Sequence, residues 1–241
     1  FWRNMKFGLI GSNIGYSKSK EIFESRGIEY HVYDVPYVEQ GLEQAIADKL
    51  DGFNVTKPFK KDIVKYMDSL MPEAQRIGTV NCVKILDDCF IGENFDGEAF
   101  RISLDHYVSN HDDWEFDYPH RMAILGNGGV VPAILTALHD ATDLATSSHE
   151  MTVFARNPKG DEKSISEFDA KKFDLIVNTI PFEARIDINF NNKSKFIYYD
   201  LNYADRTLVE KAEKNKHCSW SLDGMDMLER QAEMALNWWK E

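Results

Sequence analysis

Lysine and aspartate, which hold and move protons, and asparagine, whose amide orients its neighbours by hydrogen bonds, are spread over three short polar segments of this chain. The first is Gly52-Phe53-Asn54-Val55-Thr56-Lys57-Pro58-Phe59-Lys60, a strand-like run that breaks at Pro58 and then turns. The second is Gly78-Thr79-Val80-Asn81, and the third is Gly92-Glu93-Asn94-Phe95-Asp96-Gly97. Strand ends on the open side of an α/β sheet are where ligands bind. A lysine in a closed cleft can hold or release a proton near neutral pH. Spacing alone does not choose between Lys57 and Lys60. Asn81, Asn94 and Asp96 are turn formers by composition, and each taken singly reads as a residue that shapes a loop.

A second kind of chemistry is written around a glycine-rich turn. The buried-strand pattern at 121–125 ends in Gly126-Asn127-Gly128-Gly129 and continues through Val130 as a helix to position 139. Glycines there allow a tight turn and close approach of a pyrophosphate, whose charge faces the helix N-terminus. The plain alternative is a strand–helix turn that binds nothing. Val131 stands where a third glycine is usual, and Pro132 is tolerated in the first helical turn. The next strand ends Phe154-Ala155-Arg156-Asn157-Pro158-Lys159. An NAD site usually carries Asp or Glu at this strand end to accept from the ribose hydroxyls. Here Arg156 can pair with a 2′-phosphate and Lys159 adds charge, which points to NADP.

These segments need a frame. Short apolar runs alternate with helix-like stretches, the signature of an α/β fold. Strands are expected at 6–10, 30–34, 52–55 and in the 80–91 region, with helices at 39–49 and 61–70. After a polar, acidic connection at 111–118, strands are expected at 121–125, 151–155, 174–178 and 195–201. The segment 224–240 is amphipathic: Met227, Leu228, Ala232, Ala235, Leu236 and Trp239 recur at helical spacing. Gln231 lies among them, and a buried amide there needs a partner. A domain boundary is placed near 103–105.

Bulk properties narrow the classes. The net charge of −12 supplies no basic surface for nucleic acid. No apolar run approaches the roughly 18 residues of a membrane span. Three cysteines without a C-x-x-C pair argue against a disulfide framework or structural zinc, and the seven histidines show no ligand spacing, so no metal is expected. A reducing cytoplasm is the expected compartment. Met5 reads as the natural start, with residues 1–4 a remnant before it and no secretory signal.

Together the segments resemble the shikimate dehydrogenase family. Asn54 to Lys60 is similar to its N-V-T-x-P-x-K signature, Gly78 to Asn81 to G-A-V-N-T, and Gly92 to Gly97 to G-x-N-T-D. Gly126 to Gly129 resembles its G-x-G-G turn, and Asp174 to Pro181 its D-L-I-x-N-x-x-P segment. Asp200-Leu201-Asn202-Tyr203 resembles D-x-x-Y, and Gly224 to Gln231 resembles G-x-x-M-L-x-x-Q. Seven matches in the family's order are hard to obtain by chance.

The resemblance implies a two-domain α/β protein. A substrate-binding and catalytic domain spans 1–103, with 224–241 returning to it as a C-terminal helix. A Rossmann-type parallel-sheet NADP-binding domain spans 104–223. It implies NADPH-dependent, reversible reduction of 3-dehydroshikimate to shikimate in aromatic amino acid biosynthesis, by a monomer or homodimer. Lys60 and Asp96 would be the catalytic pair. Ser17, Ser19, Thr56, Asn81, Tyr203 and Gln231 would bind substrate. Gly126, Asn127, Gly128, Gly129, Val130, Arg156, Asn157, Lys159, Thr179 and Gly224 would hold the cofactor.

The chain also departs from the family's pattern. The G-x-P-I-x-H-S opening is here Gly11-Ser12-Asn13-Ile14-Gly15-Tyr16-Ser17. The S-P-x-x-H-N that follows it in the family is absent, and the segment after Ser19 is a few residues shorter. Phe95 and Cys82 each stand in place of a threonine. Two other readings follow: a quinate/shikimate dehydrogenase using NAD or NADP, and a catalytically weak NADP- or shikimate-binding protein.

Overall fold

Phe7, Leu9 and Ile10 are at most 3% exposed, as a continuous apolar run requires when both faces of its strand are covered. They lie in β1 (Lys6–Gly11), which pairs in parallel with β2 (Glu29–Asp34) on one side and β3 (Gly52–Val55) on the other. Helices α1 (Ser19–Glu24) and α2 (Val38–Ala47) make the crossovers that parallel pairing demands. After β3 come a 3-10 turn at Asp62–Tyr66, β4 (Ser69–Leu70), α3 (Pro72–Ile77), β5 (Cys82–Leu86) and β6 (Cys89–Glu93). The strand order is β2-β1-β3-β5-β6-β4, with β5 antiparallel to both of its neighbours.

This computed structural model describes residues 5–109, 119–143 and 149–241, so residues 1–4 and the connection read at 111–118 lie outside it. The chain divides into two units. One is Phe1–Ala99, Pro132–Thr136 and Leu228–Glu241; the other is Phe100–Val131 and Ala137–Met227. The divisions fall inside helices, the first being α4 (Asp96–Ser109).

Two readings of the first unit need correction. The helix expected at 61–70 is a 3-10 turn followed by strand β4. Long-range pairing overrides helical propensity there, because Asp68 N donates to Phe90 O and Met71 N to Gly92 O, each at 2.8–2.9 Å. The single strand region at 80–91 is a hairpin, turned at Asp87 and Asp88, both at positive φ (49° and 63°), as a right-twisted two-residue turn requires.

The second unit is a parallel sheet. Its elements are β7 (Arg121–Leu125), α5 (Val131–Asp143), β8 (Glu150–Ala155), β9 (Lys163–Ser164), β10 (Leu175–Asn178), β11 (Phe196–Asp200), α6 (Thr207–Glu213) and β12 (Cys218–Leu222). The order β12-β11-β10-β7-β8-β9 reverses direction at β7, the topological switch point of a doubly wound sheet. Between β8 and β10 the chain makes only β9 and 3-10 turns at Ile165–Glu167 and Ala170–Lys172.

The last helix, α7 (Met225–Lys240), buries Ala232, Ala235, Leu236 and Trp239 in the first unit against Phe7, Leu9, Ile14, Phe23 and Tyr30. The Trp239 indole stacks on Phe7 with centroids 4.2 Å apart, and its Nε1 donates to Val83 O at 3.0 Å. Gly52 makes room for it: a Cβ there would sit 2.6 Å from Trp239 Nε1. This packing sets which way Gln231 faces.

Candidate active site

Lys60 follows the break after β3, and Asp96 is the first residue of α4. Lys60 Nζ donates to Asp96 Oδ2 at 2.7 Å, with side chains 14% and 1% exposed. A pair this buried depends on further hydrogen bonds to satisfy its remaining atoms. Asn81 supplies one, its Nδ2 donating to Asp96 Oδ1 at 2.9 Å. The same Nδ2 lies 3.2 Å from Gln231 Oε1, which gives the amide on the apolar face of α7 its partner. Asn81 Oδ1 accepts from Phe95 N at 2.9 Å, so both ends of the side chain are fixed.

Residues behind this cluster hold it in place. Asn94 Oδ1 accepts from Asp96 N at 3.0 Å, an Asx turn that starts α4, and its Nδ2 donates to Thr79 O and Oγ1. The negative Asp96 sits in the helix's first turn, where the dipole favours it. Glu93 is buried and accepts from Asn94 N at 2.7 Å and Ala74 N at 3.3 Å. Its burial raises the carboxyl pKa, and these hydrogen bonds only partly offset that. Asn54 donates to Asn81 O and accepts from Tyr30 OH at 2.8 Å. Glu93 and Tyr30 act through backbone and buried partners, which no spacing rule in the sequence would single out.

The remaining expected substrate residues are placed as follows. Ser17 Oγ and Ser19 Oγ are 3.2 Å apart, and Ser19 opens α1 with its N–H toward Ser17 Oγ. The shortened segment therefore still sets two hydroxyls side by side. Lys57 Nζ lies 4.9 Å from the centroid of the Tyr16 ring. Half-buried Thr56 is fixed through its backbone, donating to Ile10 O and accepting from Phe59 N. Tyr203 belongs to the second unit, just after β11. Its loop is organised by the buried Asp200, which accepts from Asn178 Nδ2 and Tyr198 OH.

In the second unit, Gly126 has φ +108°, and a Cβ there would meet Thr179 Oγ1 at 2.4 Å. Thr179 Oγ1 instead donates to Leu125 O at 2.8 Å, so this hydroxyl braces the turn. Gly128 faces open space, and Asn127, Gly128 and Gly129 are exposed, with Val130 leading into α5. These features fit a dinucleotide: a tight turn, room for a pyrophosphate and a following helix N-terminus. Arg156 and Lys159 are exposed after β8, and among the described residues Arg156 makes no ion pair. Asn127 Nδ2 donates to Asn157 O at 3.2 Å and to Glu162 Oε2 at 2.9 Å. Gly224 has a packing role, since a Cβ there would lie 2.2 Å from Leu201 O. Among the described residues, no group of three or more His, Cys, Asp or Glu is arranged to hold a metal ion.

Comparison with known proteins gives this geometry a family. The model of the shikimate dehydrogenase substrate binding domain matches residues 9–83. A shikimate dehydrogenase (NADP(+)) of Staphylococcus epidermidis is 32% identical over 190 residues, covering 73% of this chain and 68% of the relative. The chain belongs to the shikimate dehydrogenase family. A family member from Clostridium botulinum, also a shikimate dehydrogenase (NADP(+)), is 29% identical over 262 residues, covering 96% of this chain and 95% of its own. The crystal structure of the Aquifex aeolicus shikimate dehydrogenase superposes with a TM-score of 0.80 at 25% identity, covering 98% of this chain and 92% of that one. Both units, including the last helix, thus follow the family fold.

Proposed function

We propose that this protein interconverts 3-dehydroshikimate and shikimate with NADP(H), using Lys60 as the proton donor and acceptor. The observation that carries this is the Lys60–Asp96 pair, buried at 2.7 Å and bound to Asn81, which in turn meets Gln231. The relatives' names supply the substrate and the cofactor.

The chemistry follows from these groups. When bound, NADPH supplies the hydride. As the ketone carbon accepts it, negative charge develops on the former carbonyl oxygen. The Lys60 ammonium stabilises that charge and donates its proton, giving the alcohol. In the oxidative direction the Lys60 amine takes the hydroxyl proton. Asp96 orients the ammonium and holds a neighbouring hydroxyl, while Asn81 fixes the carboxylate it depends on. Ser17 and Ser19 donate to the substrate carboxylate, and Thr56, Tyr203 and Gln231 complete the contacts. Arg156 and Lys159 would meet the 2′-phosphate, and the turn from Gly126 to Val130 would hold the pyrophosphate.

On this reading, residues 1–103 and 224–241 form the substrate domain, and 104–223 the NADP domain. The placement of the substrate-domain match within 9–83 supports that division. Three free cysteines and the absence of a long apolar helix among the described residues are compatible with a cytoplasmic monomer or homodimer.

The test is Lys60→Ala. Its kcat should fall about 10²- to 10⁴-fold, the usual contribution of a positioned acid–base group. The Kd values for shikimate and NADPH should change far less, because the interaction grows in the transition state. An unchanged kcat removes Lys60 from this role.

A further inference from the structure

The strand end after β8 lacks the carboxylate of an NAD site, yet a carboxylate reaches this region from farther along the chain. Glu162 Oε2 accepts from Asn127 Nδ2 at 2.9 Å and from Lys159 N at 2.8 Å. The Glu162 N–H returns to Lys159 O at 3.1 Å, closing a local ring around the end of the Arg156–Lys159 turn. The Asn127 amide also reaches Asn157 O at 3.2 Å, so one side chain of the glycine turn is gripped twice by the neighbouring loop. Glu162 is only partly exposed, whereas the residues it ties together are exposed. Arg156, the cation expected on the 2′-phosphate, makes no ion pair with Glu162 or with any other described residue.

We infer that Glu162 is the positioning residue of the NADP site. Its carboxylate ties the loop carrying Arg156 and Lys159 to the glycine turn, so that both loops stand in place before the cofactor arrives. The inference rests on the NADP reading above and deepens it. Two exposed loops that must be ordered by the ligand cost affinity, and a preformed tether removes part of that cost. Glu162 touches no reacting atom, so its effect falls on cofactor affinity and not on the chemical step.

Binding of NADPH and of adenosine 2′,5′-bisphosphate is measured by fluorescence titration and calorimetry on the full chain. Glu162→Ala is expected to weaken both about tenfold and to raise KM for NADPH without lowering kcat. Glu162→Gln keeps an oxygen acceptor for both donors and is expected to stay within about twofold of the wild type. Asn127→Ala should weaken binding comparably and add little on top of Glu162→Ala, because the two share one tether. Should Glu162→Ala fail to fold, Asn127→Ala carries the test, and unaltered binding in it overturns the proposal. Unaltered binding in Glu162→Ala also overturns it, as does tighter NADPH binding by Glu162→Gln, which would mean that charge acts and not the tether. If the wild type binds NADH but not NADPH, the cofactor reading itself fails and this inference with it.

Discussion

At the residue scale, the proposed function makes cofactor choice rest on Arg156. Its guanidinium is exposed after β8 and, among the described residues, makes no ion pair. Charge-assisted bonds to a phosphate are stronger than neutral ones. Arg156→Ala should therefore raise KM for NADPH about tenfold or more, a loss of transition-state stabilisation that leaves NADH nearly untouched. Steady-state kinetics with both nucleotides checks this, and equal losses would detach Arg156 from the 2′-phosphate. Arg156 was readable in the sequence as the first polar residue after an apolar strand run, whereas Lys60 and Asp96 were singled out by the family resemblance. The choice between Lys57 and Lys60 was not readable from spacing. It depends on the turn after β3, which sends one lysine to Asp96 and the other to the Tyr16 ring. Glu162 was hidden for a related reason: it lies six positions after Arg156, and only the loop's closure brings its carboxylate to Asn127.

At the element scale, α7 positions Gln231 and is itself held by Trp239. Trp239 is 4% exposed, stacks on Phe7 and donates to Val83 O. Trp239→Ala should cost about 3–5 kcal/mol, the range for a large buried aromatic, measured by chemical denaturation. A loss under about 1 kcal/mol would mean that α7 is not anchored there. The start of α4 carries a pH dependence. Burial raises the Glu93 carboxyl above its ordinary value of 4.5. The folded state then holds this proton more tightly than the unfolded chain. Stability from this group is greatest below 4.5 and is lost as pH rises through the folded value. Glu93→Gln cannot titrate, so its Tm should gain on the wild type as pH rises from 4.5 toward neutrality. Parallel Tm profiles would contradict this. The strands and α7 were legible because apolar periodicity reports them directly. The 3-10 turn at Asp62–Tyr66 was not, since the pairing of β4 with β6 decides it from more than twenty residues away.

At the scale of the whole molecule, the alternation of strands and helices pointed to α/β architecture, and the glycine turn at the first strand of the second unit pointed to a doubly wound sheet. The mixed character of the first sheet was less legible, because β5 and β6 pair antiparallel through a two-aspartate turn that composition alone does not distinguish from a loop. On the proposed function, one chain joins a proton-transferring lysine to an NADP-specific nucleotide fold for the oxidation of shikimate. Initial rates of nucleotide reduction decide this, with shikimate and then quinate, each with NADP and with NAD. Fast reduction with shikimate and NADP, and little with the other three pairs, is the predicted result. Comparable or faster reduction with quinate or NAD would contradict the claim, as would ligand binding without turnover in any pair.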